Sequence, residues 1–393
     1  MSVGGRWLAR LLDALFVGVA LALLLTALYV SLGRALVPLV AEYRGELERR
    51  AGAALGQPLH VGALEGRWQG LAPLLVLRDL QLQLDGEALH LDQLRVVPDV
   101  LASLRTRSLR IARLELEGLQ LGLQEQADGR WRLKGLRPLD PAAPPLDPAK
   151  ILALLLAPGE VRLLDSRLSI ETRRGGVLAL NYLGFTLENR GSAQRLDGRL
   201  LLPDGQPLSW RLHSRLRAED WRAASAQLYL SLPQSDWAPW LAERLPAGWQ
   251  LPRLQLGGEL WLDWAAGQAQ RAALRLHAPQ LDVRPAQRSL AEFRDLALTA
   301  HFAREAQGWR LLVEELAGSF AGERLNPGQL QLRRLAADDT WLLQAERLNL
   351  APLASLVRGL APLPDKAVEI LASLAPHGRL RDLRAEVRPR GEG

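Results

Sequence analysis

Leu109–Leu123 reads LRIARLELEGLQLGL, and its leucines fall on alternate residues. Leu114 and Leu116 share one parity, while Leu119, Leu121 and Leu123 share the other. Alternation at a period of two sends successive side chains to opposite faces, so this is strand with one aliphatic face. The phase reverses across Glu117-Gly118. A bulge or bend belongs there if one face is to stay apolar.

The pattern spreads in both directions. Upstream, Leu74, Val76, Leu80, Leu82 and Leu84 share a parity opposite to Asp79, Gln81 and Gln83. Asp85-Gly86 is a turn signal leading to Leu89, Leu91, Leu94 and Val96. Pro98–Leu104 reads as a short helical or irregular crossing. Downstream, Asp128-Gly129 turns the chain into Trp131–Leu133, and residues 137–148, RPLDPAAPPLDP, place five prolines in a linker. A short helix over Pro148–Leu156 follows.

Strands are then expected at Val161–Ile170, Val177–Leu187, Arg195–Leu202, Leu208–Leu216, Ala226–Leu232, Leu254–Trp264, Ala269–His277, Leu296–Phe302, Trp309–Val313, Gln329–Leu335 and Trp341–Leu350. Short strands joined by tight turns favour antiparallel pairing over alternating β/α units. Two stretches resemble each other at an offset of 113 residues: Asp236-Trp-Ala-Pro-Trp240, leading to a helix that ends near Gly248, and Asn349-Leu-Ala-Pro-Leu353, leading to one that ends near Gly359. A glycine-led strand follows each, at Gly258 and Gly378, so strand–helix–strand units add along one axis.

The N-terminal region differs. Ala14–Leu32, ALFVGVALALLLTALYVSL, carries no charge over 19 residues, and as a helix it spans roughly 29 Å, close to the hydrocarbon thickness of a bilayer. It exceeds the roughly 7–15 apolar residues of a signal-peptide core and lacks a small-residue cleavage site, which favours an uncleaved anchor. Trp7 and Tyr29 mark its interfaces, and Leu15, Phe16 and Leu24 face lipid. Arg6 and Arg10 favour a cytoplasmic N-terminus, leaving the bulk exported. From Arg34 to Leu55 the composition is helical, with Leu36, Leu39, Val40, Tyr43 and Leu47 on one face.

The chain of 393 residues has a net charge of +6 and no cysteine. Thiolate catalysis and cysteine metal sites are thereby excluded. The basic residues are nearly all arginines spread among leucines, without a basic run or an aromatic-basic platform, so no nucleic-acid surface is read. The six histidines lie too far apart in sequence for a paired metal motif, and no phosphate-cradling loop or nucleophile elbow occurs. Glu115 and Glu117 could be pictured as a carboxylate pair for glycoside hydrolysis, but alternate water-facing strand positions explain them without chemistry. No catalytic residue, metal or cofactor is expected.

Strands with one leucine face and one Arg/Gln/Asp/Glu face form the core of a β-sandwich by default. Here the aliphatic bias and the scarcity of covering helices allow another use, a curved sheet offering acyl chains a continuous slot. Leu114, Leu116, Leu119, Leu121, Leu123, Leu228 and Leu230 are its candidate lining.

Several motifs in fixed order also carry a resemblance. Glu42–Leu59 (EYRGELERRAGAALGQPL) and Gly66–Leu74 (GRWQGLAPL) follow the apolar span. Val97–Leu104 (VPDVLASL), Leu114–Leu119 (LELEGL) and Asp128–Leu133 (DGRWRL) continue the series. The succession resembles the AsmA-like envelope proteins, and within them the YhdP branch. The resemblance implies a single-pass protein of the bacterial inner membrane, with its bulk in the periplasm. It also implies an elongated β-groove that carries membrane phospholipids toward the outer membrane and helps maintain that membrane's permeability barrier. Members of this branch are more than twice as long, so the sequence reads as the membrane-proximal part of such a chain.

The expected fold is therefore mainly β. An N-terminal transmembrane helix is followed by an elongated, curved, groove-like antiparallel sheet with a few short helices. Its divisions are a cytoplasmic tail (1–10), the span (11–33), a juxtamembrane helix (34–56), a first β module (57–136), the linker (137–148) and a repeated β-groove region (149–393). The other expectation is a non-enzymatic assembly factor that binds other envelope proteins.

Overall fold

A computed structural model describes residues 3–388, apart from 56–57, 71, 85–86, 127–130, 134–147, 174–175, 218–219, 221–222, 242–243, 247, 287–288, 337–338 and 361–364. The turns expected at Asp85-Gly86 and Asp128-Gly129, and the proline-rich stretch up to residue 147, lie outside the described residues. The chain forms two compact units, Met1–Ser169 and Ile170–Gly393.

The first unit opens with helix α1 (Val3–Leu36), whose residues from Leu15 onward form a segment long and apolar enough to cross a membrane. Leu15, Phe16 and Leu24 are all more than 60% exposed. The single helix expected over Arg34–Leu55 is divided. Pro38 has no N–H to give an α-helical turn, so α1 stops at Leu36, a 3-10 segment fills Val37–Tyr43, and α2 runs over Arg44–Leu55. The expected apolar face splits with it. Val40 and Leu47 pack on the core, while Leu39 and Tyr43 are exposed.

Strands β1 (Leu59–Gln69), β2 (Ala72–Leu84), β3 (Glu87–Pro98) and β4 (Ile111–Glu117) pair antiparallel in that order, with α3 (Val100–Thr106) between the last two. Asp99 caps α3 by accepting from the Ala102 N–H at 2.9 Å. Then come β5 (Gln120–Glu125), β6 (Trp131–Leu133), α4 (Pro148–Leu156) and β7 (Glu160–Glu171). β7 lies parallel to β4, a departure from antiparallel order that the intervening crossover permits.

A line of phase reversals crosses this sheet. Asp79 has φ +52° and faces Gly62, Gly118 has φ +73° beside Asp92, and Asp165 has φ +46°. The reversal expected at Glu117-Gly118 is present, and a second one corrects the upstream reading. Leu80 pairs with Val61 and Leu77 with Leu64, in one core cluster, so Leu74 and Val76 face away from Leu80 and Leu82. The parity rule fails at Asp79 because its left-handed φ takes one residue out of the alternation, while the pairing with β1 and β3 continues in unchanged register on both sides.

The second unit is an antiparallel meander. Its strands are β8 (Val177–Arg190), β9 (Ala193–Leu201), β10 (Pro207–Arg215), β11 (Ser225–Asp236), β12 (Gln250–Ala265), β13 (Gln268–Arg284), β14 (Ala291–Glu305), β15 (Gly308–Phe320), β16 (Glu323–Leu325), β17 (Leu330–Leu335), β18 (Thr340–Asn349) and β19 (Arg379–Val387). Most correspond to expected strands, several of them longer than expected. The helix expected to run to Gly248 is described only as α5 (Ala238–Leu241). Pro246 lacks a helical donor and accepts instead from the Trp249 N–H in a tight turn. Its counterpart α6 (Leu350–Leu360) matches expectation, and α7 (Asp365–Leu374) was not foreseen. Both strand–helix–strand units are present, with Gly378 directly before β19 as expected but Gly258 in the middle of β12 rather than at its start.

Phase reversals recur here. Asp295 in β14 and Asp382 in β19 have φ +52° and +50°, and Gly318 in β15 has φ +149°. Arg78-Asp79-Leu80, Arg294-Asp295-Leu296 and Arg381-Asp382-Leu383 thus form one short motif with one backbone consequence.

Candidate functional site

The strand register of the second unit aligns its apolar residues into two rows, one of which contains both candidates from this region. Leu228 pairs with Leu212 on one side and Leu262 on the other, and Leu230 pairs with Trp210 and Leu260. The first row runs Leu187–Leu196–Leu212–Leu228–Leu262–Ala272–Phe302–Leu311–Leu332–Leu343–Ala385. The second runs Phe185–Gly198–Trp210–Leu230–Leu260–Leu274–Ala300–Val313–Leu330–Ala345–Leu383. Each crosses β8 to β15 and β17 to β19. At about 4.8 Å per strand, each is roughly 50 Å long.

The opposite face is polar along an equivalent line, which includes Arg195, His213, Gln227, Asp263, Arg271, Arg310 and Arg333. Asp197 lies on that face between Arg195 and Arg211, at 2.6 and 2.8 Å. Its partial burial would raise its pKa, but the two guanidinium groups offset this and hold it below the usual carboxylate range.

A sandwich core would bury these rows, and they are not buried. Among their members only Ala300 and Ala345 are buried, at 7% and 4% exposure, and the leucines remain partly exposed. The buried apolar cluster of this unit is elsewhere, at Ala291, Phe293 and Phe320, where Leu356 and Leu360 of α6 pack. Fully covering a leucine is worth about 1.5–3 kcal/mol, so completing the cover of a partly exposed one offers up to about 1 kcal/mol. A hydrocarbon chain lying across several strands would collect that amount at each.

The first-unit candidates occupy a more closed setting. Leu116 and Leu119 pack against the buried cluster of Val61, Leu64, Leu77, Leu80 and Leu91. Leu114 pairs with the buried Val161 on β7. Leu121 and Leu123 are partly exposed. Glu115 and Glu117 face the opposite way, and Arg95 holds both, bonding to Glu115 and lying 2.9 Å from Glu117. Among the described residues no group of His, Asp or Glu is arranged to hold a metal ion.

Polar pairs also stiffen the second unit. Asp282, 11% exposed in its side chain, accepts from Arg294 at 2.7 Å and from Gln280 at 2.6 Å. Burial pushes its pKa up, yet the bonds from Arg294 and Gln280 hold it below its ordinary value. A lowered folded-state pKa gives stability that is complete above the unfolded value of about 3.9 and is lost as the pH falls through the folded value. Urea unfolding should therefore show Asp282→Asn about 1–2 kcal/mol less stable than the parent at pH 7, with the gap closing below about pH 4. A gap that does not change with pH would contradict this.

Sequence reasoning missed most of the row. Leu260, Leu262, Leu274 and Leu332 carry the same alternation as Leu228 and Leu230, but only the register shows them side by side. The Arg-Asp-Leu motif was a legible signal of where the strands reverse phase.

Two comparisons with known proteins find relatives of this chain. The family model described as YhdP protein matches residues 1–392. A protein of Escherichia coli (strain K12), named intermembrane phospholipid transporter YhdP, is 23% identical over 401 residues, covering 95% of this chain. The chain spans 30% of that relative's length. No solved structure matches.

Proposed function

The chain belongs to the YhdP family, and from that premise we propose that its second-unit rows carry the acyl chains of phospholipids. In this reading α1 holds the protein in the bacterial inner membrane, with the N-terminus cytoplasmic and the β units in the periplasm. The segment takes part in moving phospholipid to the outer membrane and so in maintaining its permeability barrier. The observation that carries the proposal is the continuity of two partly exposed, leucine-rich apolar rows across the sheet, opposite a charged face.

Photo-crosslinking residues at Leu230, Leu260 and Leu332 should capture phospholipid in cells, and the same residues at Gln227 and Arg333 should not. Capture confined to the polar face overturns the proposal. Capture of protein in place of lipid at the leucine positions favours an assembly factor that binds other envelope proteins.

A further inference from the structure

The end of the first-unit sheet from which α1 departs carries a second apolar surface. Gly66, Leu75, Val96, Leu114 and Val161 lie level across β1, β2, β3, β4 and β7. At this level Gly66 packs against the Val37 carbonyl, just past the end of α1. Two residues further along β1, Trp68 packs on Gly33 and meets Tyr29 edge-on, with ring centroids 5.2 Å apart. The strand tip therefore rises beside α1 as far as Tyr29, which lies inside the uncharged run.

Two helices leave the sheet at the same end. α3 begins four residues after Val96, and α4 ends five residues before Val161. Both present leucine to the outside: in α3 Leu101 is 82% exposed and Leu104 72%, in α4 Leu154 is 74%, and Leu109, just past α3, is 77%. Leu104 and Leu109 share a shallow hollow with Pro98 and Val100. Beside them Arg105, Arg107 and Arg110 are exposed and without an ion pair among the described residues. Exposed leucine flanked by unpaired arginine suits a lipid interface, where apolar side chains enter the acyl boundary and cations meet anionic headgroups.

We propose that α3 and α4 lie in the surface of the membrane that α1 crosses, giving the sheet a second, peripheral attachment to anionic phospholipid. The proposal rests on the reading of α1 as a membrane anchor. A single crossing leaves a domain free to pivot, whereas a second contact on the same surface fixes the orientation of the strands to it.

The absence of cysteine makes single-cysteine labelling direct. The full chain, labelled with bimane at Leu104→Cys, Leu109→Cys or Leu154→Cys, is reconstituted in phosphatidylethanolamine/phosphatidylglycerol vesicles containing doxyl-labelled lipid. Emission at these sites should fall by about half or more, as expected for side chains seated at the acyl boundary. His60→Cys, eight residues down β1 from Trp68 and so about 26 Å away, should keep its emission. Quenching of Leu24→Cys in α1 without quenching at Leu104, Leu109 and Leu154 overturns the peripheral contact and leaves the anchor standing. No quenching at Leu24 overturns the anchor and the contact together. Labels at the α3 and α4 sites that a co-purifying protein shields from both lipid quencher and aqueous iodide also overturn it.

Discussion

Gly66→Val is expected to lower the thermal midpoint of the membrane-proximal unit by about 5–10 °C, the largest stability loss expected of a single substitution here. A Cβ at this position would lie 1.9 Å from the Val37 carbonyl oxygen and 2.7 Å from its carbon. Those are backbone atoms, so no side-chain rotation relieves the contact. Either β1 or the junction between α1 and the 3-10 segment must move, and overpacking of this kind costs about 1–3 kcal/mol or more. The displacement would also separate Trp68 from Tyr29 and loosen the hold of the helix on the sheet. Gly45→Ala is the control. Nothing lies within 4 Å of its added methyl group, and in the first turn of α2 alanine is neutral or slightly stabilising. Circular dichroism melts of the two variants against the parent decide the matter. An unchanged midpoint for Gly66→Val would mean that β1 and Val37 are not packed as described.

The second large effect is on lipid carriage. Leu260→Glu introduces a charge midway along one row, between Leu230 and Leu274. An acyl chain crossing that point must desolvate a carboxylate, at a cost of several kcal/mol. Each 1.4 kcal/mol is a factor of ten, so phospholipid capture at neighbouring Leu230 should fall at least about tenfold. Leu260→Ala removes contact area without adding charge and should reduce capture only slightly. Gln227→Glu, on the polar face, should leave it intact. If Leu260→Glu captures lipid as well as the parent, the row is not the path.

How much of this was legible in the sequence follows from what each element depends on. The strands of the second unit were visible because alternation is local. Leu228, Leu230, Leu260 and Leu262 each announce their face within a few residues. Their alignment into rows was not visible, because register is a long-range property fixed by turns and bulges. A left-handed residue explains the misreading of Leu74 and Val76: Asp79 reverses every assignment on one side of it without shifting the register. Proline explains the helices that stopped early. Pro38 divides the juxtamembrane segment and Pro246 interrupts the stretch after α5, whereas α6 has its Pro352 in its first turn, where a missing N–H costs nothing. The leucine-rich lining expected in the first unit has Leu116 and Leu119 packed against the buried cluster. Its partial closure by Val40 and Leu47 depended on where the divided helix came to rest.

The even spacing of the two rows has a consequence for motion. Strand follows strand at the same interval, and each offers a leucine or another bulky apolar side chain in at least one of the two rows. A hydrocarbon tail lying across several strands and shifted by one strand gives up one contact and gains an equivalent one. Such a surface has little corrugation. It holds a tail by its length while offering no single position where the tail would stall, and it imposes no direction of travel. Any net flow must then be set by the supply and withdrawal of lipid at its two ends.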